Sequence, residues 1–585
     1  MKKEKRNPFN RKNRTVPTAG YILPLVLIFF FSPPVCHGAM SIINSKHNLS
    51  ISGTGTIKAT AETRVCIFCH TPHRAQSVGV LWNRNDSTAT YVPYTSSTAP
   101  TLPGQPTGAS RLCLSCHDGT IALGAVANST VEIQMNQRFL NSGPAAIGTD
   151  LSDDHPVSFV YDTPLSIANP EYKDPSLLMN TVLLDANNEL QCTACHDPHD
   201  NSNGKFLTLD NTASALCLTC HQPTGWTTCS HSLSSATWNG TSPDPWPHTS
   251  WTTVQANACE NCHRPHSAGG HERILNSFTE EDNCYPCHNG NVASTNIETE
   301  FTKASVHPVT LTAGVHDPKE DFLTMTRHVE CVDCHNPHQV NNTTATAPNV
   351  SGRLAGVSGV NSLGTPVAQA SYLYEICFKC HGDSAQGTAP IPRQIIEINK
   401  RLQFDLSNPS YHPVEGPGAN PNVPSLLPQY TTASVIYCTD CHNNDSGPGT
   451  GGTGPSGPHG SIWPYLLERR YETADNTIES PDTYALCYKC HNRSTLLSDA
   501  SGFPHSLHVG GGGMMSVNAP CSACHDPHGI NNSQGTAVNN AHLINFDTSI
   551  VSPNSAGLLK YESLGTFTGR CFLSCHGQNH NPKTY

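Results

Sequence analysis

Eleven times along this 585-residue chain, two cysteines separated by two residues are followed at once by histidine. The sites are Cys66, Cys69 and His70; Cys113, Cys116 and His117; Cys192, Cys195 and His196; Cys217, Cys220 and His221; Cys259, Cys262 and His263; and Cys284, Cys287 and His288. They continue with Cys331, Cys334 and His335; Cys377, Cys380 and His381; Cys438, Cys441 and His442; Cys487, Cys490 and His491; and Cys521, Cys524 and His525. A variant with three residues between the thiols closes the series at Cys571, Cys575 and His576. Of the 26 cysteines only Cys36 and Cys229 stand outside these twelve sites, so the pattern governs whatever this chain builds.

The spacing is that of covalent haem c attachment. Two thiols add to the two vinyl groups of one porphyrin, and the following histidine falls beneath the iron as its proximal ligand. Zinc ribbons would use cysteine pairs to build four-ligand sites and leave the histidine after every second cysteine unexplained. The reading is therefore about twelve covalently attached haems, the last through a bulged loop at Cys571 and Cys575. Cys229, in "TTCSH", is read as a buried or free thiol.

The sites fall into six pairs, with 47, 25, 25, 46, 49 and 50 residues between the first cysteines of each pair. First members typically carry an x-Pro-His tail, as in "CHDPH", except in pair five, where "CTDCHNNDSGPG" lacks it and "GPHG" at His459 is taken as the substitute; second members usually follow an apolar residue, as in "ALCLTCHQP" and "EICFKCHGD". The chain is 36% hydrophobic and holds 44 glycines and 45 prolines, too little apolar material and too many breakers for large conventional cores. The expected fold is mostly coil with short helices and few strands, a haem-cored repeat of six two-haem modules. The divisions are a signal peptide at 1–39, then pair 1 at 40–145, pair 2 at 146–230, pair 3 at 231–300, pair 4 at 301–400, pair 5 at 401–500 and pair 6 at 501–585. Short helices are expected at the attachment motifs, brief strands in "LPQYTTASVIYCTDC" and "GLLKYESLGTF", and flexible connectors at Gly447 to Gly457 and Val509 to Met515. Four of the six tryptophans lie in the segment from Gly225 to Trp251, which is read as packing on haem faces.

Twelve six-coordinate irons need twelve further imidazoles. Nineteen non-motif histidines follow Ala39. Between the two sites of each pair lies His73, His199, His266, His338, His459 or His528. Ahead of each pair lies His47, His155, His248, His307, His412 or His508. A histidine three residues beyond the proximal one can hardly reach the far face of the same porphyrin, so the x-Pro-His imidazole is assigned to a neighbouring haem. His155, His307 and His412 each stand in "HPV", where proline fixes the turn. His231 competes with His248, His316 and His328 with His307, and His505 with His508; His328 is kept among the candidate ligands. His271, His542 and His580 are surplus. The alternative for any of them is an imidazole bonded to a propionate or a backbone carbonyl.

The N-terminus has a basic stretch, the apolar run "YILPLVLIFFF" and small residues at Gly38 and Ala39, the pattern of an export signal. Eleven apolar residues are too few to span a bilayer, and no later segment is long and apolar enough. The whole chain carries −12, and removal of residues 1–39 leaves about −18. That charge argues against nucleic acid and anionic membrane as partners.

With these motifs the sequence resembles the multihaem c-type cytochromes with doubled CXXCH motifs, and more narrowly the exported dodecahaem-type cytochromes of metal-reducing bacteria. The resemblance covers the chain from about residue 45 onward. It implies bis-histidine low-spin haems stacked alternately in parallel and T-shaped contact, and electron transfer in the periplasm, at the outer membrane or outside the cell. It implies other redox proteins or extracellular metal acceptors as partners. Two architectures share this signature: a homo-polymer and a subunit seated in an outer-membrane conduit. The competing class is a multihaem oxidoreductase with one open haem site acting on a small nitrogen or sulfur compound. Every histidine needed to close the sites is present, which favours the carrier over the enzyme.

Overall fold

The computed structural model describes residues 42–179, 182–311, 314–510 and 517–585. The expected signal segment, with Cys36, lies outside them, as does most of the Val509–Met515 connector. Coil dominates, interrupted by single helical turns. The longest helix among the described residues, Gly108–His117, has ten residues.

Helical turns fall where the sequence places the attachment motifs. First members sit on one turn each: Cys66–Phe68, Cys192–Cys195, Ala258–Asn261, Cys331–Asp333, Cys438–Asp440 and Cys521–Ala523. Second members sit on helices of up to three turns, such as Gly108–His117, Glu281–His288 and Leu373–His381. The last of these starts cleanly because Glu375 Oε2 accepts from the Tyr372 backbone N–H at 3.1 Å. In the first-member turns the motif histidine N–H bonds the first cysteine's carbonyl, as for His70 to Cys66 at 2.8 Å and His335 to Cys331 at 3.0 Å. That bond brings positions i, i+3 and i+4 to one face, so both thiols and the imidazole point the same way.

No continuous apolar core forms. Buried side chains gather in small clusters beside the modules, for example Ala59, Ile67 and Phe68 at the first site and Val360, Tyr374, Phe378, Phe404 and Val414 near pairs four and five. This is the interior of a chain whose filling is a cofactor.

Four two-residue antiparallel pairings form, one of them the local hairpin of Gly359–Val360 with Pro366–Val367. Two of them join modules: Ser305–Val306 pairs with Gly460–Ser461, and Ser410–Tyr411 with Gly529–Ile530. Each sets a histidine ahead of one pair (His307, His412) beside a tail histidine of the next (His459, His528). The expected strand in "LPQYTTASVIYCTDC" is absent: the segment holds only the turn Cys438–Asp440. "GLLKYESLGTF" does supply Lys560–Gly565, the first strand of an antiparallel sheet with Thr568–Cys575 and Gln578–Thr584. The twelfth site therefore lies on a strand, where a helical turn was expected. Cys571 pairs with Tyr561 and Lys583, and Arg570 is locked to Glu562 at 2.7 Å.

Candidate functional site

The attachment thiols run in single file, in chain order. Within each pair, second cysteines lie close enough to perturb one another electrostatically: Cys69 with Cys116, Cys195 with Cys220, Cys262 with Cys287, Cys441 with Cys490, and Cys524 with Cys571 and Cys575. In the fourth pair Cys334 faces Cys377 and Cys380. Between pairs, first cysteines meet side chain to side chain: Cys113 with Cys192, Cys217 with Cys259, Cys284 with Cys331, Cys377 with Cys438, and Cys487 with Cys521. Every site thus neighbours its predecessor and its successor. Only Cys66, at the head of the file, is exposed.

The imidazoles pair with equal regularity. His70 faces His199 with ring centroids 6.1 Å apart, His196 faces His266 at 6.1 Å, His263 faces His338 at 6.2 Å, His335 faces His459 at 6.1 Å, and His442 faces His528 at 6.1 Å. The first-member proximal histidines of pairs one to five are thus each matched by the tail histidine of the following pair, an offset of one module. Second members face the histidine ahead of their own pair: His117 and His47 at 6.2 Å, His221 and His155 at 6.3 Å, His288 and His231 at 6.2 Å, His381 and His307 at 6.4 Å. Two bonds of about 2 Å from one iron to opposed ring nitrogens separate the centroids by about 6 Å. His491 lies within electrostatic reach of His412, and His525 of His505.

The two sets differ in ring orientation. Tail-histidine pairs are nearly parallel, with interplanar angles of 19°, 33°, 24°, 10° and 7°. The others are crossed, at 66°, 84°, 76° and 52°.

Backbone carbonyls hold the rings. Proximal Nδ1 atoms donate to Val80 O at 3.0 Å (His70), Ala145 O at 2.7 Å (His117), Lys205 O at 2.9 Å (His196), Arg273 O at 2.8 Å (His263), Arg353 O at 3.0 Å (His335) and Tyr465 O at 2.8 Å (His442). The histidines ahead of the pairs use the proline of the next module's tail. His47 donates to Pro198 O at 3.3 Å, His231 to Pro337 O at 2.9 Å, His307 to Pro458 O at 2.9 Å, and His412 to Pro527 O. His155 reaches the corresponding Pro265 through its own backbone N–H, at 2.9 Å. A carbonyl accepts only, so Nδ1 must carry the proton and Nε2 keeps its lone pair for metal. Burial keeps the rings neutral, pushing His263, His288, His381 and His525 down to about 4.

Several sequence assignments change. His248 does not face a proximal histidine; its Nε2 bonds the Glu260 carbonyl at 3.1 Å, and His231 takes the place expected of it. Residue separations carried this signal: 70, 66 and 74 residues part His47 from His117, His155 from His221 and His307 from His381, against 57 from His231 to His288 and 40 from His248. His328 faces His316 and no proximal histidine. His508 faces His580 at 6.5 Å, and His576 bonds Asp475 at 2.9 Å. His73 has no facing ring among the described residues. Cys229 is fully buried with its thiol on Pro337 O at 3.2 Å, a packing thiol. Trp226 packs edge-on to His338 at 6.1 Å, and Trp246 is buried.

The donor set suits covalent haem at the eleven turn-borne sites: two thiols and an imidazole on one face, with a second neutral imidazole opposite at nine of them. In comparison with known families, the doubled CXXCH motif matches residues 186–225 and 252–293, which are pairs two and three. This supports a multihaem c-type cytochrome. No curated protein matches the chain. Among the described residues no helix is long and apolar enough to cross a membrane.

Proposed function

We propose that the chain is an exported electron-transfer cytochrome that moves electrons along a single file of about twelve bis-histidine haems. The observation behind this reading is the unbroken order of attachment thiols, each site beside the next, with imidazoles opposed at haem spacing. Haem supplies reversible one-electron chemistry when bound. The residues of the chain fix its setting. The cysteine pairs would attach neighbouring haems side by side, and the opposed imidazoles would hold each iron from two sides and leave no place on it for a substrate. Carbonyl-braced Nδ1 atoms keep the ligands from turning. The file reads as a wire in the periplasm, at the outer membrane or outside the cell.

Among the described residues Pro72 and His73 meet no histidine of another pair, unlike the other tail histidines. Together with the exposed Cys66, this makes the head of the file an exchange point for electrons. A second copy joined head to tail is the partner that would continue the offset, with other redox proteins and extracellular metal acceptors as the alternative partners.

A second reading, a multihaem oxidoreductase with one open site, has one observation in its favour: His576 bonds Asp475 and faces no second imidazole. Protein-film voltammetry separates the two. The wire predicts about twelve electrons exchanged per chain and no added current with nitrite, hydroxylamine or sulfite. A catalytic current would overturn it.

A further inference from the structure

Beside the fourth pair lies a group of metal-binding side chains that the haem file does not use. His316 and His328 come from the segment ahead of Cys331, and their rings stand 6.1 Å apart. Asp333 sits inside the attachment turn, between Cys331 and Cys334. Glu320 reaches in from the same segment as the two histidines. The proximal residues nearby are already matched, His335 with His459 and His381 with His307.

The atoms are placed as ligands of one cation, and they do not satisfy one another. His328 Nδ1 donates to Thr326 O at 2.8 Å, so a neutral ring turns the Nε2 lone pair toward Glu320 Oε2, 3.1 Å away. With a neutral ring the two acceptors repel unless a cation lies between them, whereas a protonated ring would donate to the carboxylate. His316 is 9% exposed, and its Nδ1 has no hydrogen-bond partner, though it lies 3.7 Å from Asp333 Oδ1 and 4.0 Å from Glu320 Oε2. Asp333 is 3% exposed and its Oδ1 is likewise unpartnered, as is Glu320 Oε2. The other Asp333 oxygen is held by the Glu330 backbone N–H at 2.8 Å, which fixes the free one toward the cluster. Ligands about 2 Å from a tetrahedral ion lie about 3.3 Å from one another. One ligand atom from each of His316, His328 and Asp333 lies within 4.8 Å of the other two, the one such group among the described residues, and Glu320 stands outside that mutual distance.

Lys379 Nζ, 3.6 Å from Asp333 Oδ1, is the ammonium nearest the cluster. It is occupied by the Asp333 carbonyl at 2.5 Å, and Glu280 and the fully buried Glu330 add carboxylates around the turn. One lysine does not offset them.

We propose that His316, His328 and Asp333 form a non-haem site for one divalent first-row metal ion, with zinc the best fit to two imidazoles and one carboxylate, and with Glu320 beside His328 at its edge. Calcium and magnesium take all-oxygen sets, and the thiolates that would select copper(I) are committed to haem. The ion would clip the segment 314–330 to the attachment turn of the seventh site, next to that haem.

The test uses the intact haem-loaded protein, dialysed against EDTA, which leaves covalent haem in place. Zinc is then titrated calorimetrically, and bound zinc is counted by elemental analysis against haem iron. One zinc per chain is expected in the parent protein. His316→Ala and His328→Ala should each weaken binding at least tenfold, with the haem count unchanged. The unchanged haem count shows that the variants fold. No saturable uptake by the parent protein, or one equivalent that persists undiminished in both variants, overturns the proposal.

Discussion

Sites eleven and twelve belong to one module and rest on opposite backbones. Cys521, Cys524 and His525 occupy a single helical turn closed by the His525 N–H on the Cys521 carbonyl at 3.0 Å. Cys571 and Cys575 occupy one strand of an antiparallel sheet, ahead of His576. On a turn, positions i and i+3 are neighbours about 5–6 Å apart. On a strand, positions i and i+4 share a face but stand about 13 Å apart. Two thioethers to one porphyrin need the first arrangement. The extra residue in "CFLSCH" is therefore tied to a different local fold, although Cys571 and Cys575 keep the same neighbour, Cys524, that the repeat requires. Position in the file is set by the module, and competence to attach haem is set by the turn.

The largest effect should come from removing the turn-borne thiols. Cys521→Ser with Cys524→Ser takes away the haem that fills the last module, and the region after residue 500 should become protease-sensitive. Cys571→Ser with Cys575→Ser should cost one haem in the intact mass and leave the eleven turn-borne haems in place. A wild-type mass with eleven haems and two free thiols would show that the strand holds.

Next in size is the loss of one ligand. His528→Ala removes the ring opposed to His442 and should yield one high-spin iron per chain in pair five, one module before its own. A high-spin iron within pair six instead would break the offset.

Deleting Phe572 restores the two-residue spacer. Strand signal in circular dichroism should fall as the turn forms, while the haem count stays at twelve. Unchanged strand content would mean that the sheet is independent of spacing.

Lys489 links the two sites of pair five, with Nζ 2.6 Å from the Asp440 carbonyl and 2.8 Å from buried Glu468. Lys489→Met leaves that carboxylate with Arg469 at 3.3 Å and should cost about 3 kcal/mol, read as a lower thermal midpoint. The smallest effect is that of His248→Ala, which should leave the low-spin spectrum unchanged, whereas His231→Ala should not.

Much of this was legible in the sequence. The motif turns follow from i, i+3, i+4 chemistry, and "HPV" marked His155, His307 and His412. The coil-rich fold follows from the scarcity of apolar residues. The offset was not legible, because the tail histidine's reach into the preceding module depends on pairings such as Tyr411 with Gly529, which join residues 118 apart. His248 misled because a histidine close before a motif looks like its ligand, while its ring is satisfied locally by Glu260. The strand at Cys571 escaped because the motif suggests a turn, whereas its neighbours Thr568, Phe572 and Leu573 favour a sheet.

The most direct measurement is a low-temperature EPR spectrum of the oxidised protein, integrated against haem content. Parallel imidazoles separate the two iron orbitals that overlap the rings and give rhombic signals; crossed imidazoles leave them nearly degenerate and give one very large g value. The ring angles of 7–33° and 52–84° predict two low-spin populations of nearly equal size and no high-spin iron. A single low-spin class, or a stoichiometric high-spin signal, would contradict the file of alternating bis-histidine sites.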